Sequence, residues 1–190
     1  MDRWKRRTPS GSLRESREVK ILDNLGVPTV VEFLQQKLEP FDTTKVWSIR
    51  LYSFKGVVHY NGRCCFPQPS NRKSRKCAHY RLSAGVDLHL LWPHTASIAT
   101  GTKDLEVKDP RSGFAMQKTW AYVWTPVTFE NATEALVFVL GHEVFHFLRH
   151  SRQIDGRQTE PQANKYGLQW LEEWRTNERR QEGRETLHTE

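Results

Sequence analysis

Two periods of hydrophobicity run along this chain. In its first two thirds, apolar and polar residues alternate with a period of two, the pattern of half-buried strands. From Val46 to Ser53, Val46, Ser48, Arg50 and Tyr52 fall on one side and Trp47, Ile49 and Leu51 on the other. After Gly56, Val57 to Tyr60 reads as a second strand, and Asn61-Gly62 as the turn that ends it. Tyr80 to Leu91 alternates again, with Leu82, Ala84, Val86, Leu88 and Leu90 on one side. Residues 93–119 carry Pro, Gly, Thr and Lys without a period and read as loop. Ala121 to Phe129 is a short strand in which Pro126 marks an edge or a bulge. Before these strands, Thr29 is the expected N-cap of a helix from Val30 to Glu39 that Pro40 stops.

At Asn131 the period changes. Asn131 and Glu134 make an Asn-x-x-Glu pattern, an N-cap with a reciprocal partner three residues on. Ala132 to Arg149 then holds no proline and one glycine, Gly141, and is apolar on several sides. Such a helix is normally buried. Thr159 and Gln162 repeat the capping pattern, Pro161 is tolerated in a first turn, and a second helix follows through Leu168, Trp170, Leu171 and Trp174. The polar link between them contains Asp155-Gly156, a turn signal. Two helices so joined pack antiparallel.

The buried helix carries chemistry that a core helix does not need. His142-Glu143-Val144-Phe145-His146 is an H-E-x-x-H motif. Residues four apart sit about 40° from eclipsed and about 6 Å apart along the axis, so His142 and His146 project from one face. Two such imidazoles can hold one zinc ion, and Glu143 falls beside them as a general base. Glu160 heads the second helix and can supply a third ligand. Asn164, one turn on, can hydrogen-bond a ligand histidine and fix its ring. A core helix whose histidines bond backbone carbonyls, and a first-turn acid favoured by the helix dipole, are the structural alternatives. His150 lies roughly 12 Å along the axis from His142 and reads as a helix-end or cleft residue, not a ligand.

His142 to His146 followed by Glu160-x-x-Ala163-Asn164-x-Tyr166-Gly167 resembles the gluzincin type of zincin metallopeptidase, such as the minigluzincins and the ImmA/IrrE-like group. The resemblance spans roughly residues 120–175. It implies one zinc ion on His142, His146 and Glu160, Glu143 as general base, and a peptide or protein substrate. It also implies an edge strand, here Tyr122 to Thr128, that takes an extended peptide by β-addition. Many members carry Asp where this chain has Asn164, which gives the histidine less charge support. Gly167 stands where alanine is common and allows close helix approach.

With 190 residues, a formal charge of +7 and 21 aromatic residues, the chain can bury one domain. No apolar run reads as a transmembrane span, and the polar N-terminus has no secretory h-region. Three cysteines make no disulfide framework, so a cytoplasmic setting is expected. Cys64, Cys65, Cys77 and His79 have poor spacing for a second zinc site. Arg72, Lys73, Arg75 and Lys76 concentrate positive charge, a candidate nucleic-acid contact. Residues 1–20 add seven Lys/Arg against three acids. Trp120, Trp124, Trp170 and Trp174 read as core.

The expectation is therefore an α+β, zincin-like domain over residues 21–176, between a basic tail (1–20) and a charged one (177–190). It has a small mixed or antiparallel sheet on the motif helix and the antiparallel helix after it. Its expected function is zinc-dependent peptide hydrolysis. The alternatives are a DNA-associated protease of SprT-like role and a catalytically silent, zinc-stabilised interaction module.

Overall fold

The computed structural model describes residues 19–67, 78–108 and 116–187. Over them the chain is α+β, in the order β1 (Ile21–Asp23), α1 (Pro28–Leu38), β2 (Val46–Ser53), β3 (Tyr60–Cys65), β4 (Tyr80–Val86), β5 (His94–Lys108), β6 (Met116–Phe129), α2 (Ala132–His150) and α3 (Glu160–Leu187). Four strands form a mixed sheet in the order β1-β2-β4-β3. β1–β2 and β2–β4 are parallel, and β3–β4 is antiparallel. β5 and β6 make a separate antiparallel ribbon.

Alternation decides which face of the mixed sheet is covered. Ile49, Leu51, Leu82, Ala84 and Val86 are buried in one cluster with Val30, Phe33 and Leu34 of α1 and most of α2. Each large aliphatic side chain so buried contributes about 1.5–3 kcal/mol. On the opposite face Arg50 and Arg81 are exposed, Ser48, Tyr52 and Ser83 are half-buried, and Gly85 is buried. As its composition predicts, α2 is buried on nearly every side. No helix among the described residues is long and apolar enough to cross a membrane.

The α2–α3 pair is antiparallel, and two glycines set its closeness. Contacts between the helices join Glu134 to Arg175, Gly141 to Gly167, and His142 to Asn164, so the later residue falls as the earlier one rises. A Cβ on Gly141 would lie 2.9 Å from the Gly167 Cα, and one on Gly167 would lie 2.6 Å from the Phe138 carbonyl oxygen. Neither position has room for a side chain. At the start of α2, the Asn131 side chain accepts from the Glu134 N–H, as a cap should. Glu134 in turn accepts from the Glu130 N–H, one residue before the reciprocal donor expected. Its carboxylate also holds Arg175 of α3, which donates to the Thr128 carbonyl at the end of β6.

Several sequence expectations need correction. α1 begins at Pro28, with Val27 and not Thr29 at the N-cap. Proline lacks an N–H to satisfy, and the Asp23 carboxylate accepts from the N–H groups of Leu25, Gly26 and Val27, shaping the chain before it enters the helix. Asn61-Gly62 is not a turn: both residues lie inside β3, opposite Gly85 and Ala84. β4 ends at Val86, and Leu88 beyond it is exposed. The loop expected over 93–119 holds β5 and the start of β6. Over residues 100–106 β5 carries polar residues on both faces, so that stretch has no apolar period to betray it. Trp120 and Trp124, expected in the core, are 59% and 60% exposed, whereas Trp170 and Trp174 are buried. α3 continues to Leu187, beyond the expected start of a charged tail at 177. The basic tail up to residue 18, the 72–76 cluster and Cys77 lie outside the described residues.

Candidate metal centre

α2 supplies His142, Glu143 and His146, and the first turn of α3 supplies Glu160. The histidine Nε2 atoms are 3.1 Å apart. Glu160 Oε2 lies 3.4 Å from His142 Nε2, and Oε1 lies 3.6 Å from His146 Nε2. These are the edges of a ligand triangle. Zinc–nitrogen bonds of about 2.0–2.1 Å at tetrahedral angles put neighbouring donors about 3.4 Å apart. The three side chains therefore fit one tetrahedral ion, and this is the cluster of metal-ligating groups among the described residues.

Hydrogen bonds place the lone pair of His142. Asn164 Nδ2 donates to the Ala99 carbonyl oxygen at 2.8 Å, which leaves Asn164 Oδ1 as an acceptor. His142 Nδ1 lies 2.8 Å from that oxygen and must carry the proton. Nε2 is then bare and faces the other two donors. Burial pushes the pKa of His142 down, against the opposing pull of Glu160 and Asn164. His146 is lowered too, by burial and by His142. Both imidazoles are thus held neutral, the form that binds a metal. His146 Nδ1 is buried with no hydrogen-bond partner among the described residues, so that ring is positioned by packing against Phe145 and His142.

Glu143 is 7% exposed and hydrogen-bonds to no other described residue. Burial and the nearby Glu160 carboxylate raise its pKa to about 7. Its carboxylate packs against β3, because a Cβ on Gly62 would strike the Glu143 side chain and come within 2.6 Å of Val139 Cγ1. Two openings meet at this carboxylate. One, of about 390 Å³, is lined by His142, Glu143, Glu160, Ile98, Tyr122 and Trp124. The other, of about 510 Å³, is lined by Arg63, Phe66, His142, Glu143, His146 and Glu160.

His142, His146, Glu160, Glu143 and Asn164 come together as the spacing predicts. His150 stands apart: Nδ1 lies 2.8 Å from the Tyr80 hydroxyl, and the ring stacks on Phe66. Cys64 and Cys65 are half-buried thiols in β3, and Cys64 is pushed well above its usual pKa by burial, by Glu143 and by Cys65. Tyr122 to Thr128 pairs with β5 and with no other described strand, so it keeps an open edge, and Tyr122 and Trp124 border the opening at His142. β3, an outer strand of the main sheet, lies against Glu143. Gly62 and the Ala99 carbonyl escape sequence reasoning: Gly62 reads there as half of a turn, and a backbone carbonyl has no sequence signal. Tyr122 and Trp124 fall in the strand expected to take an extended peptide. No family model matches this chain, and no curated protein and no solved structure matches it.

Proposed function

We propose that this chain is a zinc-dependent metallopeptidase of zincin-like, gluzincin type. The observation that carries the reading is the convergence of His142, His146 and Glu160 from two helices, with Glu143 free beside them. His142, His146 and Glu160 would hold the ion. Zinc in such a site acidifies water and polarises a carbonyl. Glu143 takes a proton from the attacking water onto its carboxylate and delivers it to the leaving amine. The outer edge of β3 offers main-chain groups to an extended peptide, and Tyr122 and Trp124 offer an apolar wall to its side chains. Both openings expose the metal position, which favours an enzyme over a silent, metal-stabilised module.

Metal analysis of the purified protein, with Glu143→Gln beside wild type on casein, tests this. One zinc per chain in both proteins and loss of hydrolysis in the variant are expected. No bound zinc, or equal hydrolysis by the two, would refute it.

A further inference from the structure

The face of the mixed sheet that no described helix covers carries an arrangement that peptide hydrolysis does not use. Register places Ser83 of β4 between Arg50 of β2 and Arg63 of β3. Arg81, two residues back on β4, stands between Ser48 and Cys65 in the same way. Neighbouring strands are about 4.8 Å apart and residues on one face about 7 Å apart along a strand. The three arginines thus stem from a patch about 10 Å across. All three are exposed, and no guanidinium among them makes a hydrogen bond or ion pair with another described residue. They line a shallow concavity of about 830 Å³ whose lining among the described residues includes no acidic side chain. Its other polar groups include Asn24, Asn61 and Ser83, which are uncharged donors and acceptors.

Three unpaired guanidiniums on one concave face are an electrostatic cost that the fold alone does not require. Guanidinium forks match phosphate oxygens in pairs. The face also holds one aromatic platform. A Cβ on Gly85 would lie 2.6 Å from Tyr52 Cζ, so the Tyr52 ring lies directly over that glycine while lining the concavity. Duplex DNA is read by a helix or ribbon inserted in a groove. A broad sheet face with basic groups around an aromatic ring instead suits an unpaired strand, whose bases are free to stack.

We propose that this face binds single-stranded nucleic acid, with Arg50, Arg63 and Arg81 on successive phosphates and a base on Tyr52. Arg50 and Arg81 lie on the opposite face of the sheet from α2, and Arg63, on the outer strand β3, also borders the opening beside His142 and Glu143, so the two sites adjoin at that edge.

The test is fluorescence anisotropy with a labelled single-stranded DNA of about 16 nucleotides, across about 50–200 mM salt. Each phosphate contact on a single strand contributes about 0.7 to the slope of log K against log salt. The triple variant Arg50→Gln, Arg63→Gln, Arg81→Gln should weaken binding and flatten that slope by about 2. The corresponding triple lysine variant should keep the slope, which separates lost charge from lost fold. Tyr52→Ala should weaken binding by about tenfold at unchanged slope. No binding by wild type, or an unaltered slope in the glutamine variant, would overturn the proposal. So would equal affinity for poly-glutamate, which would mark an acidic-peptide surface, or displacement of the DNA by inorganic phosphate at matched phosphate concentration, which would mark a small-anion site.

Discussion

At the scale of single residues, the metal centre depends on side chains that never touch the metal position. Asn164 is the clearest. Its amide is oriented by the Ala99 carbonyl and fixes the tautomer of His142. Asn164→Ala should lower zinc affinity by roughly 10–100-fold, the usual cost of removing a partner of a ligand histidine. Asn164→Asp should raise affinity, because a carboxylate supports the ring N–H with full charge. Competition against a chelating dye measures both, and equal affinity in all three proteins would show that the amide does not govern the ligand. Gly62 acts on the base instead. A methyl at this position collides with the Glu143 side chain, so Gly62→Ala should misplace the carboxylate. A displacement of about 1 Å costs on the order of 10²-fold in rate. The expected result is a fall in kcat with zinc content unchanged, and wild-type kcat in this variant would remove Gly62 from the positioning of Glu143.

At the scale of elements, the centre exists only because α2 and α3 are held in register. Arg175 bridges the Glu134 carboxylate and the Thr128 carbonyl, tying α3 to the start of α2 and the end of β6. Glu134 is 4% exposed, so Arg175→Met strands a buried carboxylate, at a cost of about 3–5 kcal/mol in denaturant unfolding. Burial alone would raise the Glu134 pKa, but the Arg175 hydrogen bonds and the Glu130 N–H outweigh it and the net shift is downward. A depressed carboxyl stabilises the fold above its unfolded pKa of about 4.3, and that stability fades as pH falls through the lower folded value. Wild type should therefore lose stability on acidification below about pH 4.3, and Arg175→Met should lose less over the same range. Parallel curves for the two proteins would show that this pair does not set the acid limb. The same helices explain what could be read in advance. The α2 and α3 starts, the antiparallel pairing and the His142–His146–Glu160 convergence follow from caps, a 3.6-residue period and a short polar link, all of them local signals. β3, β5 and the start of β6 before Ala121 did not, because their partners are distant in sequence or their faces carry polar residues. Gly62 looks like a turn residue until α2 is packed against it. Trp120 and Trp124 look like core until the ribbon is seen to project them outward, next to Tyr122.

For the whole molecule, an ion held by His142, His146 and Glu160 would make metal binding and folding one equilibrium. His142 and His146 share a helix and could meet in any state that keeps α2, but Glu160 reaches them only when α3 is docked. An ion held by all three stabilises the native state by about 2.7 kcal/mol at a free concentration one hundred times its dissociation constant. For a domain near 150 residues that corresponds to a rise in Tm of roughly 5–10 °C. Calorimetry with saturating zinc and with chelator should show this gap in wild type. Glu143→Gln should preserve it, because Glu143 lies outside the His142, His146 and Glu160 triangle. His146→Ala should abolish it, because the remaining pair no longer bridges the helices tightly. Glu160→Ala should abolish it as well, and this variant discriminates best: it leaves the H-E-x-x-H helix untouched and removes only the link between the helices. A gap that survives in both ligand variants would place the ion elsewhere, with Cys64 and Cys65 the next donors to remove. No gap in wild type would mean that α2 and α3 dock through Gly141, Gly167 and the Arg175 bridge alone, with the histidines and Glu160 only neighbours in a crowded groove.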